Sequence, residues 1–243
     1  MNSLPLENTN RLQALEFDIV GDGVNAKLSS AAPSWADCCF VSLAAGETRT
    51  LSIDIGKICI LLFTKCSAVV NGIKCDGRGV FISAEENISI STELSSSALC
   101  LFYKPRNPEW ESKITLPQFI SYDTAPKYRE DCKSEKTISR MLLAEGVLPD
   151  IAMGSVETWG EDCVLDHEHP FCDQLFFSFE ENYMRVVIDG ESFEMCGNTL
   201  LHIPLGSLHG VRVDEGGCAH YVWIDYVLDE RGVEYMNSAH EFI

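Results

Sequence analysis

The chain repeats itself, and the repeat dictates short strands. Val41-Ser-Leu-Ala-Ala-Gly-Glu47 is echoed by Ser155-Val-Glu-Thr-Trp-Gly-Glu161, and Val69-Val-Asn-Gly72 by Val187-Ile-Asp-Gly190, at offsets of 114 and 118. Gly79-Val-Phe-Ile-Ser83 resembles Asn198-Thr-Leu-Leu-His-Ile-Pro204, and Ser97-Ala-Leu-Cys-Leu-Phe-Tyr103 resembles Ala219-His-Tyr-Val-Trp-Ile-Asp225. Four matches in one order at a near-constant offset imply a duplicated unit. In both copies, brief apolar or alternating runs are punctuated by turn pairs such as Asn71-Gly72, Asp76-Gly77, Asp189-Gly190 and Gly216-Gly217. Many short strands at regular spacing predict an all-β sandwich or barrel. Asp189-Gly190 between apolar runs is a strong hairpin signal.

The expected organisation is a first unit over 12–105, a linker over 106–145 and a second unit over 146–235. Prolines at 105, 108 and 117 mark an irregular connector. Ile138, Met141 and Leu142 stand at helical spacing and predict a short helix within 125–145, starting near Ser134 and packing one unit on the other.

Charge excludes some partners. The 243 residues carry a net charge of −19, with −4 on residues 1–124 and −15 on residues 125–243. Such a surface repels phosphate backbones, so no nucleic-acid partner is expected. No run of apolar residues is long enough to span a bilayer, and Met1 to Asn10 is polar, without a basic-then-apolar leader pattern. The expectation is a cytoplasmic protein without a membrane partner. The cysteines number eleven, an odd count with no CxxC, and read as reduced thiols filling apolar space. Cys172, lying among the candidate site residues, is the one with a possible chemical role. The two copies either cover each other's sheet faces or leave a face for a homodimer.

Chemistry is concentrated in the second copy. All six histidines, at 167, 169, 202, 209, 220 and 240, lie beyond residue 166. The first unit, lacking histidine, is expected to be structural and free of metal. His167-Glu168-His169 places two imidazoles at i and i+2, which on a strand point to one face. After the turn Pro170-Phe-Cys-Asp173, Gln174 begins a further strand, and Ile203-Pro-Leu-Gly206 leads by another turn to His209. Three histidines with one oxygen donor, Gln174 or Asp173, form a ligand set for one divalent transition metal: nickel, zinc, iron or manganese. Strand alternation groups Asp173 with Leu175, Phe177 and Phe179, and Gln174 with Phe176 and Ser178. His202, His220 and His240 are read as non-ligands. Asp225 sits in an apolar run, where a carboxylate requires a partner: Arg212, Arg231 or the site itself.

Those residues resemble the cupin superfamily. Its motifs HxHx(3–4)E and PxGxxH are matched by His167-Glu-His169-Pro-Phe-Cys-Asp173-Gln174 and Pro204-Leu-Gly206-Ser-Leu-His209, with departures at the acid and at Glu181, where the family usually has glycine. The resemblance implies two double-stranded β-helix (jelly-roll) barrels, a bicupin, with metal inside the second. The tail Asp225-Tyr-Val-Leu-Asp-Glu-Arg231 is similar to that of small metal-dependent cupins that linearise unsaturated uronates in pectin and alginate degradation. Those use HxHx4Q and a later histidine as ligands, which favours Gln174, and an Asp and Arg in the active site. The phenylalanine and both prolines of their tail are absent here. This similarity implies a lyase or isomerase acting on a small sugar acid or related oxo-acid, with Asp225 moving protons and Arg231 clamping a carboxylate. Two other readings stand beside it: a non-catalytic bicupin that binds a sugar or metabolite, and a metal-dependent dioxygenase.

Overall fold

Asn71-Gly72 and Asp189-Gly190 each place two consecutive residues at positive φ (45° and 80°, 50° and 84°). That geometry closes a two-residue hairpin whose twist matches its strands, and Gly and Asn or Asp adopt it at least cost. The computed structural model describes residues 34–111 and 113–243, and two short N-terminal strands as backbone. In chain order, the first half holds β1 (Ala14–Glu16), β2 (Ala26–Lys27), β3 (Ala36–Leu43), β4 (Thr48–Ser52), β5 (Ile58–Lys65), β6 (Ser67–Val70), β7 (Ile73–Asp76), β8 (Gly79–Ser83), β9 (Asn87–Thr92) and β10 (Ser96–Tyr103). The connector supplies β11 (Gln118–Ser121) and β12 (Lys127–Arg129). The second half holds β13 (Ile138–Leu148), β14 (Ile151–Trp159), β15 (Asp162–His167), β16 (Cys172–Ser178), β17 (Tyr183–Ile188), β18 (Glu191–Cys196), β19 (Thr199–Ile203), β20 (His209–Val213), β21 (Cys218–Val227), helix α1 (Arg231–Ala239) and β22 (Glu241–Phe242).

The same strand order occurs twice in the sheets. The order β8-β5-β10-β3 in one sheet recurs as β19-β16-β21-β14 in another. The order β4-β9-β6-β7 recurs in the pairings β15–β20, β20–β17 and β17–β18. The chain also laces its halves together. β11 extends the first half beside β8, while β1 pairs antiparallel with β19 of the second half, Ala14 opposite Leu201.

Period-two alternation assigns the cores. On β21, Tyr221 and Trp223 join an interior cluster with Phe176, Val186, Ile188 and Val211. Val222, Ile224 and Tyr226 point the other way, into a seam shared with Phe40, Ile60, Leu99 and Leu101 of the first half. The first half has its own interior of Leu61, Phe63, Val70, Phe81 and Ile90, with Cys59, Cys75 and Cys100 filling it as apolar side chains. Trp35 crosses the seam, stacked on Tyr226 with centroids 4.5 Å apart.

Three expectations need correcting. No helix forms in 125–145; those residues make β12 and β13. β13 is buried on both faces: Leu142, Leu143 and Leu148 enter the seam, and Met141 enters the second interior. Its ladder with β14 shifts register at Met141/Leu143. A bulged strand with two apolar faces mimics helical spacing. The helix lies instead at Arg231–Ala239, so a boundary at 235 cuts through it. β1, expected within a first unit of 12–105, belongs by pairing to the second half.

Candidate metal centre

The antiparallel pair β15–β20 sets His167 opposite His209. The register slips between Val164 and His167, and the bulge turns both of those side chains inward despite their odd spacing. The two strands approach closely at Gly210, where a Cβ would stand 2.8 Å from the Val164 carbonyl oxygen and 2.3 Å from Asp166 Oδ1. β15 ends at His167, so His169 sits just beyond the strand and not on it as alternation implied. It still converges: ring centroids lie 4.5 Å apart for His167–His209, 5.1 Å for His167–His169 and 5.3 Å for His169–His209. One ligand atom from each of the three falls within 4.8 Å of the others.

Hydrogen bonds fix two of the tautomers. His167 Nδ1 lies 2.7 Å from the Leu165 carbonyl, and His209 Nδ1 lies 3.0 Å from the Ser207 carbonyl. A carbonyl only accepts, so each Nδ1 carries the proton and each Nε2 keeps its lone pair. His209 is 1% exposed, and its Nε2 has no hydrogen-bond partner. Burial, reinforced by the other two histidines, pushes the His209 imidazole down to about 3. Burial and His169 also lower His167. Both are therefore neutral at pH 7, the protonation state that ligates metal.

Gln174 and Asp225 complete the constellation. Gln174 Nε2 donates to Asp225 Oδ1 at 2.6 Å, which leaves the buried Gln174 Oε1 without a partner. The other Asp225 oxygen lies 3.3 Å from His169 Nδ1. Asp225 is fully buried and pairs with neither arginine weighed for it: Arg212 binds Asp166, and Arg231 binds Asp229. Asp173 points away, as alternation required, and accepts from Trp35 Nε1 at 2.7 Å on the seam side, with His202 Nε2 2.8 Å from its other oxygen. It is not available as the fourth ligand. Arg231 is not brought to the histidines either. It opens α1 with its side chain 71% exposed and lies over Phe171, so its expected role as a carboxylate clamp is corrected. Cys172 is buried against Val227 and Met236 with its thiol pushed far up by burial, which makes it packing rather than a nucleophile.

His167, His169, Gln174 and His209 open on an inner cavity of about 20 Å³, lined also by Phe176, Met236, Glu130 and Lys133. The last two were missed, because the helix expected at 125–145 hid a loop that crosses β15. Lys133 is anchored by a backbone bridge to Val164. Its ammonium is bound to Glu130, to Tyr128 Oη at 3.2 Å and to Ser139 Oγ at 3.2 Å. His240, read from the sequence as a non-ligand, completes this cluster: its Nε2 is 2.6 Å from Glu130 and its Nδ1 2.9 Å from Glu145. Neither contact has hydrogen-bond geometry, so both act as charge pairs.

The first half shows what the site replaces. Where the second half has His167 opposite His209, the corresponding end of the β4–β9 ladder has Ser52 opposite Asn87. Where it has Gln174 opposite Asp225, the β5–β10 ladder has Cys59 opposite Phe102.

The sequence matches no family model and no curated protein. Solved structures do match over most of the chain. An oxalate decarboxylase from Lactobacillus farciminis, in a formate complex, is 10% identical with a TM-score of 0.66, covering 88% of each chain. A cupin 2 conserved barrel domain protein from Leptotrichia buccalis is 15% identical with a TM-score of 0.57, covering 88% of this chain and 96% of that one. This is the cupin fold. A variant salicylate 1,2-dioxygenase from Pseudoaminobacter salicylatoxidans, in complex with gentisate, adds a TM-score of 0.60 at 9% identity, covering 99% of this chain and 80% of that one. In this chain the histidine cluster sits where two strands and a loop converge on the second interior. Its donors suit a divalent ion: neutral imidazoles, an unpaired amide oxygen and a carboxylate that orients two of them. Among the described residues no helix is long and apolar enough to cross a membrane.

Proposed function

We propose that the chain is a metal-dependent cupin, each half one barrel, acting as a lyase or isomerase on a small oxo- or hydroxy-acid. The observation that carries this is the pair of buried orphan atoms, His209 Nε2 and Gln174 Oε1, beside the same small cavity. A buried polar atom without a partner costs on the order of 1–3 kcal/mol, a cost that a bound cation removes. His167, His169, His209 and Gln174 would hold one divalent ion, which supplies a Lewis-acidic centre for a substrate carbonyl or carboxylate oxygen. Asp225 orients the Gln174 amide and the His169 ring. Phe176, Val211, Trp223 and Met236 exclude water from the cavity. Tyr221, whose phenol burial pushes far above its usual range, keeps its proton beside them at neutral pH. The oxalate decarboxylase and the gentisate-bound dioxygenase, whose ligands are small carboxylates, support this substrate class.

One observation favours the non-catalytic binding reading: both Asp225 oxygens are engaged and Glu130 is held between Lys133 and His240. Each carboxylate is tied to neighbouring side chains, and Asp225 does not line the cavity. Metal analysis of the purified wild type and of His167→Ala decides the site. About one ion per chain is expected in the first and little in the second, and equal contents overturn the assignment. Screening small oxo-acids and unsaturated uronates by NMR then separates turnover from binding without change.

A further inference from the structure

The inner cavity of about 20 Å³ has room for about one water-sized group, too little for an organic acid. Next to it lies a second cavity of about 1040 Å³, between residues 127–139 and residues 235–241, and it too reaches His167 and His169. The residue common to both cavities on the helical side is Met236. It is 2% exposed and packs against Cys172 and Val227, with Phe171 and Val233 around them. Helix α1 carries it, and the end of that helix is fastened. His240 is held between Glu130 and Glu145, its ring stacked on Trp223 (centroids 5.6 Å, 22°) and edge-on to Tyr128 (4.6 Å). β22 follows and pairs with β12.

We infer that Met236 is the specificity-determining residue of the histidine site, setting the largest ligand that reaches it from the outer cavity. Helix α1 holds the methionine in place, and the His240 clasp holds the helix. A thioether side chain suits this role, being unbranched and adaptable. Truncating it joins the two cavities; releasing the clasp lets the helix carry it aside. The inference rests on the metal-site reading above.

The test uses the full chain loaded with Co²⁺, whose visible absorption reports ligands entering its coordination sphere. Formate and benzoate serve as the small and large probes. In wild type, benzoate is expected to bind about tenfold or more weaker than formate. In Met236→Ala that gap closes to roughly threefold or less, while Met236→Leu keeps the wild-type ratio. His240→Gln, which leaves Met236 intact, moves the ratio in the same direction as the truncation and provides the test should Met236→Ala not fold. An unchanged ratio in a folded Met236→Ala or His240→Gln protein overturns the gate and leaves the metal site standing. Failure of wild type to bind Co²⁺ overturns the site, and the gate with it.

Discussion

Asp225 is a carboxylate with both oxygens taken. Its position was legible in the sequence, since a lone acid in an apolar strand demands a partner, but its work was not. Strand alternation could say that Asp225 faces inward with Tyr221 and Trp223; it could not say that Gln174 and His169 would occupy it. The same alternation separated Gln174 from Asp173 correctly, because β16 is regular and period two holds along it. Arg231 failed for the opposite reason. Its spacing from Asp225 assumes a continuing strand, and the chain turns into a helix there. Asp225→Asn keeps one acceptor and loses the charge. Its expected effect is a drop in metal affinity of about 10–100-fold, the usual consequence of removing a group that orients metal ligands. Circular dichroism should remain unchanged, and a competition titration against a chelator measures the loss. An affinity equal to wild type would mean that Asp225 does not orient the site.

Helix α1 and the loop before β13 meet over His240, and charge makes their contact depend on pH. Burial alone lowers a histidine, but here Glu130 and Glu145 outweigh it and the imidazole is raised to about 9. A folded value above the unfolded one of about 6.5 means stability fully present below about 6.5 and lost as pH rises through about 9. Glu130 is shifted the other way: burial opposes, but Lys133 and His240 prevail, so its contribution is present above the ordinary carboxylate range and lost in acid. Denaturant unfolding should therefore show His240 contributing on the order of 3 kcal/mol near pH 6 and progressively less from pH 7 to 10. His240→Asn should flatten that alkaline decline; a variant that follows the wild-type curve would remove the clasp from the account. None of this was readable in the sequence. His240 lies far along the chain from Glu130, Lys133 and Glu145, and a bulged, two-faced β13 disguised the element that gathers them.

Across the whole molecule, the duplicated strand order was the most legible feature, because turn pairs and apolar runs are local signals that repeat with the unit. The way the copies lean on each other was not. The seam buries the outer faces of β5, β10 and β3 against those of β16, β21 and β14. It is pinned at one end by Trp35 on Asp173 and Tyr226, and at the other by Arg78, bidentate to Glu181 at 2.7 and 2.9 Å. Such a seam predicts one cooperative unfolding transition for the chain, with calorimetric and van't Hoff enthalpies in agreement. Trp35→Phe keeps an aromatic ring over Tyr226 and removes only the indole donor. It should cost about 1–2 kcal/mol and leave the transition single. Two resolved transitions would show the halves to be independent.

The pairing of β1 with β19 bears on how the chain is made. β1 leaves the ribosome before β19 and must wait for it, since Ala14 pairs opposite Leu201. Until then the outer edge of β19, once made, is a bare row of N–H and C=O groups, open to any extended segment that reaches it. Closing so long a loop costs little more in equilibrium stability than closing a shorter one, but it slows assembly. The β1–β19 ladder thus cannot close before β19 is made, and it joins residues 14–16 to the sheet that holds the histidines.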